Sequence, residues 1–153
     1  MIKFQSITKA IKRCLSEGPY RGGGVLFFRR HLDGSKTILV FRRSNRPGKG
    51  LFSIPGGKMD ASDQGSFVSC AIRETWEETR LNILPEDVEG VITISLPCFR
   101  WKTQLVPFNG RITDIRFVTG ELSEPIELTP VEARRLPLTL SMRLTLLLFR
   151  FRR

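Results

Sequence analysis

Histidine is nearly missing from this chain: its 153 residues include one, His31, and only three cysteines, Cys14, Cys70 and Cys98. The cysteines are scattered, odd in number and without a CxxC pair, which argues against a disulfide scaffold or a zinc site and for a reducing compartment. Cys70 reads as a packing residue rather than a nucleophile, because the one imidazole lies far off in sequence. No apolar run is long enough to cross a bilayer, and Leu144 to Phe149 is too short. No membrane partner is therefore expected. Internal repeats and low-complexity tracts are absent too.

Acidic residues are the other shortage. Lys and Arg number 25 against 15 Asp and Glu, a formal net charge of +10. Several of the acids (Asp60, Asp63, Glu74, Glu77, Glu78) fall within one short stretch, so the remaining surface is basic. Such a field attracts polyanions and speeds their encounter. It fits nucleotide steering, RNA binding or docking into a ribonucleoprotein, and equally a surface that only keeps the protein soluble. No interleaving of basic residues with aromatics resembles an RNA-binding signature.

What is present suits one domain: 41% hydrophobic residues and 26% charged ones in a chain of domain size. Residues 1–20 form an amphipathic N-terminal segment, with Phe4, Ile7, Ile11, Cys14 and Leu15 at helical spacing, Lys3, Lys9, Lys12 and Arg13 between them, and no acid before Glu17. The segment fits a mitochondrial presequence or a plain surface helix; intracellular, cytoplasmic placement is expected, with the mitochondrion as the alternative. Residues 21–153 make the domain. Val25–Phe28 and Thr37–Phe41 read as strands of a hairpin around Asp33-Gly34, and Leu51–Ile54 as a short strand after the basic loop 42–50. A helix is predicted from Ser66 to Thr79, with Val68, Ala71, Ile72 and Thr75 facing inward. Further strands are predicted over 90–95, 103–108 and 112–119. Thr129, Pro130 and Glu132 form a capped helix start for 130–136, and 140–151 reads as a last apolar-basic helix.

The chemistry concentrates in Pro55-Gly56-Gly57-Lys58 and Arg73-Glu74-Thr75-Trp76-Glu77-Glu78. Glu74, Glu77 and Glu78 are three and four positions apart on a helix, so they project from one side. Like charges so spaced repel by a few tenths of a kcal/mol per pair. A hard divalent cation with oxygen ligands offsets that cost, Mg²⁺ being the usual one, shared with substrate phosphates.

These residues resemble the signature of the Nudix hydrolases, which cleave a diphosphate linked to another group X; the likeness runs over about residues 38–81. It implies an α/β fold, an α/β/α sandwich around a mixed sheet. It implies a nucleotide-type substrate and a Mg²⁺ site, with Mn²⁺ as a substitute, made of Glu74, Glu77, Glu78 and the Gly56 carbonyl. Glu77, Glu78 and Arg73 would carry catalysis, Arg73 by pairing with a loop acid that braces the helix. Arg42, Arg43, Arg46, Lys49 and Lys58 flank the turn and are candidates to meet phosphates. A Nudix-fold module that binds RNA without catalysis is the alternative.

The chain departs from the family pattern twice. Sixteen positions separate Gly57 from Arg73 where the pattern has fourteen, so Asp63, or else Asp60, takes the place of the missing loop glutamate. Arg80 stands where the family has glycine, so either the helix ends differently, with Asn82 left-handed, or Arg80 carries a strain of roughly 1–2 kcal/mol. The long loop 58–64 and the segment Leu128–Ala133 are similar to the coenzyme A branch. Glu121, Glu124, Glu127 and Glu132 are the later acids available as a general base.

Overall fold

A computed structural model describes residues 12–149 of the protein. The predicted hairpin is its first feature. Strands β1 (Tyr20–Arg30) and β2 (Lys36–Arg43) pair antiparallel across three positions, from Phe28–Ile38 to Arg30–Lys36. Gly34 closes the turn at φ +81°, and the Asp33 carboxylate accepts the Ser35 N–H at 2.9 Å.

Beyond Phe28 the two strands part company, and short strands occupy the opening. β3 (Phe52–Ser53) runs along β2, while β4 (Gly56–Lys58) runs antiparallel to the glycines of β1, pairing Gly22 with Lys58 and Gly24 with Gly56. On the other edge of β1, β6 (Phe99–Pro107) lies parallel over nine positions, and β5 (Gly90–Leu96) closes that side antiparallel. The sheet order is β3-β2-β1-β6-β5, and β7 (Leu122–Leu128) lines the outer edge of β2. One parallel pairing in an otherwise antiparallel sheet makes it mixed.

Alternate residues of each central strand feed opposite cores. Leu26, Phe28, Ile38 and Val40 pack with Met142, Leu146 and Phe149 on one side; Val25, Phe27, Leu39 and Phe41 pack with Ala71, Ile83 and Phe108 on the other. The first side is covered by α2 (Pro130–Ala133) and α3 (Leu140–Phe149), the second by α1 (Phe67–Thr79). This is an α/β sandwich with a mixed sheet at its centre.

The capped start predicted at Thr129 is present, and α1 is capped by Ser66. Ser66 receives the Ser69 N–H at 3.1 Å at the start of α1, and Thr129 and Glu132 exchange backbone N–H bonds at the start of α2. Helix α2 is shorter than the predicted 130–136, ending at Ala133.

Two expectations fail. Residues 112–119 do not form a strand: Ile112–Asp114 is a single 3-10 turn, and the strand is Leu122–Leu128. Pro125 lies in the middle of this strand. As an edge strand bonded only to β2 it tolerates a missing donor, and the register shifts beside it. Cys14 and Cys98 are paired as a disulfide with Cα atoms 5.4 Å apart, against the reading of unpaired thiols. Partners 84 positions apart leave no local trace. Cys70 is buried and free, as expected of a packing residue. Most of the N-terminal segment, and Arg150, Arg152 and Arg153, lie outside the described residues. Among the described residues no helix is long and apolar enough to cross a membrane.

Candidate active site

The turn between β3 and α1 is shaped by close approach. A Cβ on Gly56, whose φ is +152°, would sit 2.5 Å from the Gly23 carbonyl oxygen, and one on Gly57 would sit 2.5 Å from the Glu74 carboxylate. Only glycine lets the bend lie against both β1 and the acidic helix. The Gly56 N–H donates to Glu78 Oε2 at 2.9 Å, and Cys70 Sγ lies 3.6 Å from the Gly57 carbonyl. Burial raises the Cys70 thiol to about 11, which keeps it protonated.

Arg73 ties the loop that follows the glycine bend to the helix. Its Nε and Nη2 bond the two oxygens of Asp63 at 3.0 and 2.9 Å, and Nη2 also reaches the Lys58 carbonyl at 3.1 Å. Asp63 is 2% exposed and its carboxyl is held below the ordinary range, chiefly by the Arg73 guanidinium. Asp60, the other candidate, is 3.6 Å from Arg73 and caps the 3-10 turn Ala61–Asp63. Arg73 does not turn wholly away from the acids: Nη1 meets Glu74 at 3.0 Å and Glu77 at 3.3 Å. At the far end, Arg80 itself adopts the left-handed conformation (φ 57°), with its N–H on the Trp76 carbonyl and its guanidinium over the Trp76 ring.

The three glutamates are not equivalent. Glu78 is 3% exposed, and its carboxyl is pushed up to about 8, first by burial and further by Glu74 and Glu121, against the Gly56 N–H. Glu74 is mostly buried and also raised, chiefly by burial. Glu77 is half exposed beside Arg73. Among the described residues no three acidic, His or Cys side chains converge into a complete metal cage. The donor set nonetheless suits Mg²⁺, which is commonly held by one or two carboxylates with water and substrate phosphate completing its shell.

A cleft of about 710 Å³ opens beside the glycine bend. Gly56, Gly57, Lys58, Glu74, Arg43 and Glu121 line its polar end. Of the four later acids, Glu121 alone is there. Glu124 pairs with Arg42 at 3.1 Å, Glu127 with Arg29 at 3.0 Å, and Glu132 serves as the α2 cap. Of the candidate phosphate contacts, Arg43 and Lys58 face the cleft. Arg42 points the other way, as strand neighbours do, and Arg46 and Lys49 line a separate hollow on the 46–51 loop.

The opposite wall was not read from the sequence. Tyr20, Phe99 and Trp101 form a ladder of near-parallel rings, with centroids 5.4 and 6.3 Å apart and planes 8° and 7° from each other. Trp101 lies against β1, where a Cβ on Gly22 or Gly24 would come within 2.8 or 2.9 Å of its ring. Part of the signal was therefore present as Gly22 and Gly24, which admit both that ring and the carbonyls of Gly57 and Pro55, while Gly23 faces the Phe67 carbonyl of α1. Trp101 Nε1 donates to Thr103 Oγ1 at 3.0 Å, and Thr103 bonds Thr145 at 3.0 Å, fixing the ladder to α3.

Residues 21–136 match the NUDIX domain family. Solved structures share the fold. The Ap4A hydrolase of C. elegans, a binary complex, is 20% identical at a TM-score of 0.62, covering 86% of this chain and 95% of that one. The NUDIX domain of Shewanella oneidensis NrtR, complexed with ADP ribose, is 18% identical at 0.66, covering 88% of each. A bifunctional NMN adenylyltransferase/ADP ribose pyrophosphatase from Francisella tularensis, complexed with AMP and a Mn ion, is 15% identical at 0.69, covering 95% of this chain and 46% of that one. No curated protein matches the chain in sequence. With three quarters of its length inside the family's domain, and the glycine bend and acidic helix packed together as the motif requires, this chain belongs to the Nudix family.

Proposed function

We propose that this Nudix-type diphosphate hydrolase cleaves the diphosphate of a nucleoside diphosphate linked to a second group, in a Mg²⁺-dependent reaction. The observation that carries the reading is the cleft's polarity: Glu74 and the glycine bend at one end, with Glu78 buried behind them on the Gly56 N–H, and a stacked aromatic wall at the other. Aromatic faces accept any nucleobase by stacking. Arg43 and Lys58 supply positive charge at the polar end, where a diphosphate would lie.

Glu74, Glu77, Glu78 and the Gly56 carbonyl would hold Mg²⁺ or Mn²⁺, which when bound supplies charge neutralisation on the phosphoryl oxygens and acidifies water. The chain's own groups do the rest. Gly56 N–H fixes the Glu78 carboxylate, Arg73 and Asp63 brace the loop, and Glu121 faces the cleft as the acceptor for the proton of the attacking water. Ser53, Thr139 and Ser141, linked at 3.2 and 3.3 Å, offer hydroxyls along the cleft floor.

The test is a substrate panel of dinucleoside polyphosphates, ADP-ribose, coenzyme A and nucleoside triphosphates. Release of phosphate or nucleoside monophosphate should require Mg²⁺ and stop with chelator. Coenzyme A belongs in the panel because of the long 58–64 loop. Absence of turnover on every member, with salt-sensitive RNA binding, would favour the non-catalytic module.

A further inference from the structure

The last 21 residues, Ala133 to Arg153, contain six arginines and no acid. Within the described part, Arg134, Arg135 and Arg143 line one groove of about 520 Å³ together with Leu147. Among the described residues, none of the three makes an ion pair. Arg134 reaches the Leu146 carbonyl at 3.0 Å, and the preceding acid, Glu132, is spent on its cap. Beside these charges α3 shows solvent Leu147 and Leu148, 56 and 40% exposed, and two turns back Leu140, 70% exposed, at the edge of the cleft. Its inner face, Met142, Thr145, Leu146 and Phe149, is already committed to the core. Among the described residues the outer apolar stripe therefore has no partner.

We propose that this α2–α3 face attaches the protein to an anionic lipid surface, arginines on the headgroups and leucines among the acyl chains. Charge and apolarity together select that occupant. A second copy would set Arg134, Arg135 and Arg143 against their own equivalents across a two-fold axis. A nucleic acid would satisfy the arginines but gives leucines nothing to enter, and the described part of the face offers it no exposed aromatic for stacking. The want of a spanning segment is no obstacle, since such a helix lies in the interface rather than across it.

The measurement is co-sedimentation of the whole chain with vesicles of phosphatidylcholine, alone or with about 30% phosphatidylserine, at about 0.1 M and about 1 M salt. Binding should favour the anionic vesicles at least tenfold and fall away at high salt. Arg135→Ala with Arg143→Ala should weaken it about 25-fold, roughly fivefold per arginine. Leu147→Ser with Leu148→Ser should weaken it at least about tenfold through lost acyl insertion. Equal affinity for the two vesicle types, or for neither, measured on the wild type, overturns the proposal. So does a leucine variant that binds as well as wild type while RNA competes fully, which would mark a nucleic-acid face. A dimer in solution that the leucine variant dissolves, without vesicle binding, would mark a contact between copies and overturn it equally.

Discussion

The two walls of the cleft are built on opposite terms with stability. The acidic wall, Glu74 with the helix behind it, works against the fold. Glu78 is buried as a carboxyl whose ionisation is resisted until about pH 8, and Arg80 sits in a left-handed conformation that costs roughly 1–2 kcal/mol. The aromatic wall works with the fold, since Trp101 is 6% exposed and bonded through Thr103 to α3. Residues retained at a cost to the fold are the ones whose reason is chemical. Those that also pack can serve binding and stability at once.

The contrast is sharpest at Glu78. Glu78→Gln should cut turnover by at least about 10³-fold, on the order of 4 kcal/mol in the barrier. The same change should stabilise the protein in chelator. A carboxyl raised from its ordinary 4.5 to about 8 contributes stability that is complete below 4.5 and is lost as pH rises through 8. At pH 8 to 9 the variant should therefore gain on the order of 1–3 kcal/mol over wild type in urea denaturation, and the gain should vanish near pH 4.5. Wild-type turnover, or a variant less stable at pH 9, would break the comparison.

Asp63→Asn probes the brace behind that wall and should cost about 3 kcal/mol, because Arg73 loses a two-point partner that is 2% exposed. Here the sign is reversed. Arg73 holds the Asp63 carboxyl below its usual range, so the stability it gives is present above that range and lost as pH falls through the depressed value. The gap between wild type and variant should be flat at neutral pH and close only in acid. A variant that melts like wild type at pH 7 would mean the loop is held by something else.

The same division explains what could be read in advance. The acids of α1, the glycine bend, the Thr129 cap and the 20–43 hairpin are each written within a few consecutive residues, where helix and turn geometry convert spacing into position. The two-residue insertion was legible for the same reason, since Asp63 keeps its distance from Gly57. The aromatic wall joins Tyr20 to Phe99 through a parallel pairing, and Cys14 finds Cys98 across the same fold. No local period records such meetings. β7 was missed, and in it Pro125, a breaker in a central strand, is an acceptable edge residue.

Phe99→Leu tests whether the second wall recognises substrate or only supports the sheet. It removes the middle ring of the ladder at a partly exposed position, so the core is spared. Loss of one stacking face is worth about 1–3 kcal/mol, which predicts KM raised at least about fivefold with kcat within about twofold. A fall in kcat with KM unchanged would assign the ring to the chemistry instead.

The smallest effect should come from a residue beside one of the larger ones. Arg42 and Arg43 are neighbours on β2, and strand alternation sends Arg43 to the cleft and Arg42 to Glu124 on the other side. The Arg42–Glu124 pair is about half exposed on both partners, and such pairs contribute about 0–1 kcal/mol. Arg42→Gln should therefore change kcat/KM by less than about twofold, whereas Arg43→Gln, removing a charge that lines the cleft, should lower it about tenfold. Equal losses would mean that the basic loop acts as a diffuse field. A salt titration separates the two cases: a field effect fades for both variants as ionic strength rises, and a direct contact in the cleft persists for Arg43 alone.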